Sequence, residues 1–160
     1  MKTKPLIIAA VVVVAILLIL AIRYQRTLVR GLPPRVECAN EQEAARLAAD
    51  FSVSQGGSVV SVLGTGSMAP YIPAAKSGLD PLATTDALAA TKPGVTFDDI
   101  TPGALCIYRH NASSVGLTMH SAARKSFGAW VMAGLHNKES DIWMKREDFV
   151  GIVGKVWVWK

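Results

Sequence analysis

Cysteine is scarce in this sequence, charge is thin, and long apolar runs are nearly absent. Two cysteines in 160 residues are too few for a small domain stapled by disulfides. Charged side chains make up only 18% against 51% hydrophobic, which excludes a disordered chain. Only one apolar run is long enough to matter, so a protein crossing a membrane several times is excluded too. There is also no basic face for a nucleic acid. Residues 37–160 carry eleven basic and twelve acidic side chains, and no internal repeat is visible.

What is present divides the chain in two. Residues 6–22 are seventeen apolar positions without a break. At ~1.5 Å each they span roughly 25 Å, slightly short of a ~30 Å hydrocarbon core. Lys4 and Arg23 can snorkel and Tyr24 can sit at the interface. Without the run, about 46% of the chain from Arg23 onward is hydrophobic, the level of an ordinary globular domain. The formal charge of +5 comes from the flanks: Lys2 and Lys4 before the run, then Arg23, Arg26, Arg30 and Arg35 after it with no acid among them. A cleaved signal peptide has a shorter apolar core and a small-x-small site. Here Arg23-Tyr-Gln-Arg26 follows instead, so the run reads as an uncleaved single-pass anchor. Counting the amino terminus, three charges precede it and four follow, a one-charge lean towards a cytoplasmic domain.

The expected organisation is a basic tail at 1–5, an anchor at 6–22, a juxtamembrane linker at 23–39 broken by Gly31-Leu-Pro-Pro34, and one domain at 40–160. Asn40 with Glu43 three residues on resembles a capping arrangement, and Ala44, Leu47, Ala48 and Phe51 continue at helical spacing. A short helix is predicted over 41–52, ended by Gln55-Gly-Gly57. Strands are predicted at 58–63, 104–110, 115–123, 128–133 and 149–159. Residues 74–99 read as a long insertion or loop. Trp157 and Trp159 share a strand face, which either packs or meets a membrane interface. Cys38 and Cys106 either pair or remain as two thiols. The fold class is mainly β with one short helix and one anchor.

Chemistry has three candidate locations. Gly64-Thr-Gly-Ser67-Met68-Ala-Pro70 places a serine on a constrained turn at the exit of a strand. A serine needs a nearby base to become a nucleophile, and otherwise this is a Gly/Ser turn. His120 and Lys125 are the candidate bases. Five apart on a regular strand, they point to opposite faces and cannot both address Ser67. Asp141, in Gly134-Leu-His-Asn-Lys-Glu-Ser-Asp141, could orient a histidine or belong to a polar turn.

Together and in this order these segments resemble the type I signal peptidase family. Gly64–Pro70 looks like its serine box, Thr101-Pro-Gly103 through Arg109 like the next strand, and Met119-His120-Ser like the base-bearing strand. Gly134–Asp141 resembles its acidic box and Phe149–Val156 its closing strand. The resemblance implies a signal-peptidase and repressor-protease-like β domain behind a single N-terminal transmembrane helix. It further implies a serine endopeptidase of the Ser-His type cutting signal or leader peptides from exported proteins. Ser67 matches the nucleophile, His120 the base and Asp141 its acidic partner. Thr65 and the Ser67 amide match the oxyanion donors, worth ~2.7–4 kcal/mol in such sites. Met68 is expected to shape a shallow pocket, and Lys125 to be a surface or structural residue. No cofactor, metal or nucleic acid is implied. The expected partners are preprotein or propeptide substrates and membrane lipid along 6–22, with the domain on the extracytoplasmic side. Family aspartates are replaced here by Ala104 and Leu135, and an arginine by Ser121. The resemblance therefore also admits a processing peptidase dedicated to one partner, such as a pilin or structural protein, or an inactive leader-binding homologue.

Overall fold

The computed structural model describes residues 3–62, 66–72, 87–110, 116–136 and 142–159, with side chains of the first helix described from Ile8 onward. Helix α1, Thr3–Arg30, contains the apolar run. It is long and apolar enough to cross a membrane. Every side chain from Ile8 to Tyr24 is exposed.

The predicted linker is largely structured. Helix α1 continues through residues 23–30, and strand β1, Arg35–Glu37, follows. The continuation has a packing reason: Leu28 is 1% exposed and sits against Ala123, Ala133 and Leu135. Beside it, Gly31 crosses the backbone of Gly103 so closely that neither position has room for a Cβ. The end of α1 is thus docked onto the domain.

Helix α2, Glu41–Gln55, forms where the capping signal stands and runs three residues past the prediction. The Asn40 side chain accepts from the Glu43 N–H at 2.9 Å, and Glu43 accepts from the Ala39 N–H at 2.7 Å. These bonds satisfy donors that a helix start leaves open. Gly56, at φ 77, closes the other end.

Eight strands build one curled sheet, mainly antiparallel and shaped as a half-barrel. They are β1, β2 (Val59–Val62), β3 (Ala87–Thr91), β4 (Leu105–Arg109), β5 (Leu117–Ser126), β6 (Ala129–Ala133), β7 (Ile142–Met144) and β8 (Phe149–Val158). Their order is β2-β3-β8-β4-β5-β6-β7, with β1 parallel to β8. Of the predicted insertion at 74–99, residues 74–86 lie outside the described residues, while 87–91 form β3, which pairs with β2 and β8 inside the sheet. Its sequence, Ala-Leu-Ala-Ala-Thr, lacks the bulky alternation of a typical strand. Small side chains are used because both faces are covered: Ala87 and Ala89 enter one core, and Ala90 lies under α2. Farther on, Phe97 is buried in a 3-10 turn, Phe97–Asp99.

Alternation along β8 sorts the cores. Val156 and Val158 face Leu105, Ile107 and Met119, whereas Trp157 faces Ala44 and Ala48 of α2. Trp157 is 1% exposed, with Phe51 edge-on at 5.5 Å, so it packs and does not meet a membrane. Truncating so large a buried ring costs about 3–5 kcal/mol. The two thiols are free and buried in different clusters, which settles their alternatives against a disulfide.

Candidate active site

Ser67 lies in the turn at 66–72. Gly66 precedes it at φ 85, a left-handed conformation that suits glycine. The turn is pinned from several directions. Met68 and Ile72 are 4% and 2% exposed and sit in the core with Leu105, Ile107 and Met119. Met68 therefore anchors the turn in the core. The Arg35 guanidinium donates to the carbonyls of Pro70 and Tyr71 at 3.0 and 2.9 Å, and the Tyr71 hydroxyl donates to the Pro33 carbonyl at 2.7 Å. Behind the serine, the His136 N–H donates to the Ser67 carbonyl at 3.0 Å. Gly134 is the point of closest approach. A Cβ there would stand 2.5 Å from the Ser67 carbonyl oxygen and 3.3 Å from its Cβ.

With Met68 turned into the core, Ser67 projects to the other face of the sheet. There its Oγ lies 3.1 Å from Nε2 of His120, within the usual reach of nucleophile and base. The register of β4 against β5 sets what else is present. Cys106 is opposite His120 and Tyr108 opposite Thr118, so Cys106, Tyr108 and His120 share a face. The Tyr108 hydroxyl lies 2.9 Å from Nδ1 of His120. Ser67, His120 and Tyr108 thus form a continuous polar chain. His120 is 8% exposed and Tyr108 fully buried.

Burial decides the protonation of this chain. Desolvation, helped by the charge of nearby His110, lowers the His120 pKa from 6.5 to about 4. The imidazole is neutral at pH 7 and keeps one ring nitrogen free as a proton acceptor. Burial and the neighbouring Cys106 push the Tyr108 phenol above its ordinary value. Burial alone pushes the Cys106 thiol up to about 12, far from the thiolate a reactive cysteine needs.

Of the residues singled out from sequence, Ser67 and His120 are brought together. Lys125 is not: its ammonium is 3.9 Å from Asp98 and 5.7 Å from the centre of the Phe97 ring. A bulge between Ala122 and Arg124 interrupts the regular alternation assumed for β5. Thr65 and Asp141 lie outside the described residues. Tyr108 was not anticipated, because only the β4–β5 register brings it to His120. Ala104, Leu135 and Ser121, which stand where the resemblance led one to expect charged residues, lie in different surroundings. Ala104 is 8% exposed among apolar neighbours, and Leu135 packs beside Leu28, Ala123 and Ala133. A carboxylate at the buried Ala104 position would be desolvated at a cost, while Leu135 is half-buried. Ser121 is fully buried, and its hydroxyl has no hydrogen-bond partner among the described residues.

No group of three or more metal-ligating side chains occurs among the described residues. A cleft of about 360 Å³ lies elsewhere, between the end of α1 and β8, lined by Arg30, Lys92, Asp99 and Gly154 among others. Ser67 and His120 take no part in it. Comparisons with protein-family models, with curated proteins and with solved structures find no match to this chain.

Proposed function

We propose that this chain is a membrane-anchored serine endopeptidase that removes signal or leader peptides from exported proteins. The observation that carries the proposal is the 3.1 Å contact between Ser67 Oγ and His120 Nε2 in a largely buried polar chain. It is supported by the resemblance of the ordered segments around Ser67, His120 and Asp141 to type I signal peptidases.

The chemistry follows from the pair. Ser67 Oγ attacks the peptide carbonyl carbon while its proton passes to His120 Nε2. The same proton then goes to the leaving amine as the C–N bond breaks, leaving an acyl ester on Ser67. Water, deprotonated by His120, attacks the ester, and the proton returns to Ser67 as the acid leaves. On the family pattern, Thr65 and the Ser67 amide hold the oxyanion. The apolar helix keeps the domain at the bilayer surface, where a membrane-inserted leader is held as well. Confinement of both raises their effective concentration without any further contact. The docking of α1 through Leu28 and Gly31 would then set the height of Ser67 above that surface.

Labelling of the full chain in membranes with a fluorophosphonate probe tests the nucleophile, together with identification of precursors left uncut by Ser67→Ala. Label on the native chain, lost in Ser67→Ala, with accumulation of precursors, is the expected result. Continued trimming of a reporter preprotein by the variant would overturn the assignment. A C-terminal reporter fusion fixes the side of the membrane, and a cytoplasmic domain would remove exported proteins as substrates.

A further inference from the structure

We propose that Tyr108 is the positioning residue of the Ser67–His120 pair, its phenol oxygen accepting the Nδ1 proton of His120 and so aiming the Nε2 lone pair at Ser67. The inference deepens the peptidase reading and rests on it. It gives the histidine-orienting role to a neutral phenol, where the family pattern has a carboxylate.

The argument is geometric. An imidazole nitrogen offers one hydrogen-bonding direction in the ring plane, and the Tyr108 hydroxyl occupies that of Nδ1 at 2.9 Å. The tyrosine is fully buried among Ala104, Cys106, Ala122 and Met132, so its oxygen is held in place by the packing of the whole ring. Two proton arrangements satisfy the contact. If the phenol donates to Nδ1, the ring proton sits on Nε2 and points at Ser67, and the histidine cannot act as base. If the phenol accepts from Nδ1–H, Nε2 is free to take the serine proton. Only the second arrangement serves a nucleophile. A phenol also differs from a carboxylate in placing no negative charge beside the imidazole. This agrees with a neutral His120, whose pKa is lowered by burial and by the charge of His110, just past the end of β4.

Tyr108→Phe keeps the ring and removes only the hydroxyl. Fluorophosphonate labelling of Ser67 is expected to slow on the order of 10–10²-fold, less than the ~10⁴-fold that follows when a triad histidine is held in the wrong tautomer. The acidic limb of the labelling rate should move to lower pH, because an acceptor that favoured the imidazolium is gone. A limb moving to higher pH would show that the phenol donates to Nδ1 and would overturn the proposal. So would an unchanged rate and pH profile in Tyr108→Phe alongside a collapse in Asp141→Asn, which would return the role to the carboxylate. Nitrogen NMR of the histidine-labelled native chain, with the signal assigned by its loss in His120→Gln, reads the tautomer independently of any variant's folding. A proton on Nδ1 is expected, and one on Nε2 would overturn the proposal. If the native chain takes no label while NMR finds Nδ1 protonated, the peptidase reading fails and the Tyr108 contact stands.

Discussion

The turn carrying Ser67 is held very differently on its two sides. On one side Met68 and Ile72 enter the core, and Arg35 and Tyr71 tie the turn to the segment that follows α1. Those restraints are several, and most of the polar ones end on backbone carbonyls, so the loss of any one leaves others in place. On the other side Ser67 Oγ meets His120, and His120 meets Tyr108, side chain to side chain. His120 and Tyr108 on that side are buried, and the imidazole is neutral at pH 7. The contrast separates support from chemistry: redundant bonds locate the turn, while a short polar chain carries whatever reaction occurs.

Changes on the His120 side should have the largest effects. His120→Ala should lower fluorophosphonate labelling at Ser67 on the order of 10³-fold or more while the label site stays in place. The same residue sets an acid sensitivity. Between pH 6.5 and about 4 the unfolded chain takes a proton on this side chain and the folded chain does not. Stability should therefore be unaffected by this group above pH 6.5 and fall by roughly 3 kcal/mol as the pH drops to about 4. Denaturant titrations across that range check it, and in His120→Gln this part of the loss should vanish.

The seam between the two sides comes next. Gly134→Ala would drive a methyl group into the Ser67 carbonyl. Misplacement of a reacting group by about 1 Å can cost 10²-fold in rate, so labelling should fall by about that factor. Normal labelling in a folded Gly134→Ala chain would mean that the approach to Ser67 is unimportant. On the supporting side, Arg35→Ala should cost only about 1 kcal/mol in denaturant unfolding, since the guanidinium is partly exposed and Met68 and Ile72 remain. A collapse of labelling with that variant would abolish the contrast drawn above. The smallest effect is a gain. Ser121→Ala removes a buried hydroxyl that has no hydrogen-bond partner among the described residues and should stabilise the fold by up to about 1 kcal/mol in the same measurement.

Much of the fold is legible wherever local chemistry dictates the element. The apolar run at 6–22 forms helix, Asn40 and Glu43 start α2, and strands arise in the predicted regions of β4, β5, β6 and β8. Elements that depend on neighbours are not legible. β1 and β7 are three residues each, too short to show a period. β3 is built of alanines whose strand character comes from fitting between two covered faces. The helical end of α1 beyond Arg23 depends on Leu28 meeting Ala123 and Ala133. Tyr108 looks like one more aromatic residue of a strand until Cys106 is set opposite His120.

The sequence by itself determined the apolar helix, the cap of α2, most of the strands and the candidacy of Ser67 and His120, because these rest on periodicity and residue chemistry within a few positions. Only the tertiary structure decided that Ser67 and His120 meet, that Lys125 does not join them, and that a phenol touches the far nitrogen of the histidine. Strand register is the physical reason. A shift of one residue turns every side chain of a strand to the opposite face, so the packing of the sheet selects the register that sets Tyr108 beside His120, and the packed turn at 66–72 brings Ser67 to them.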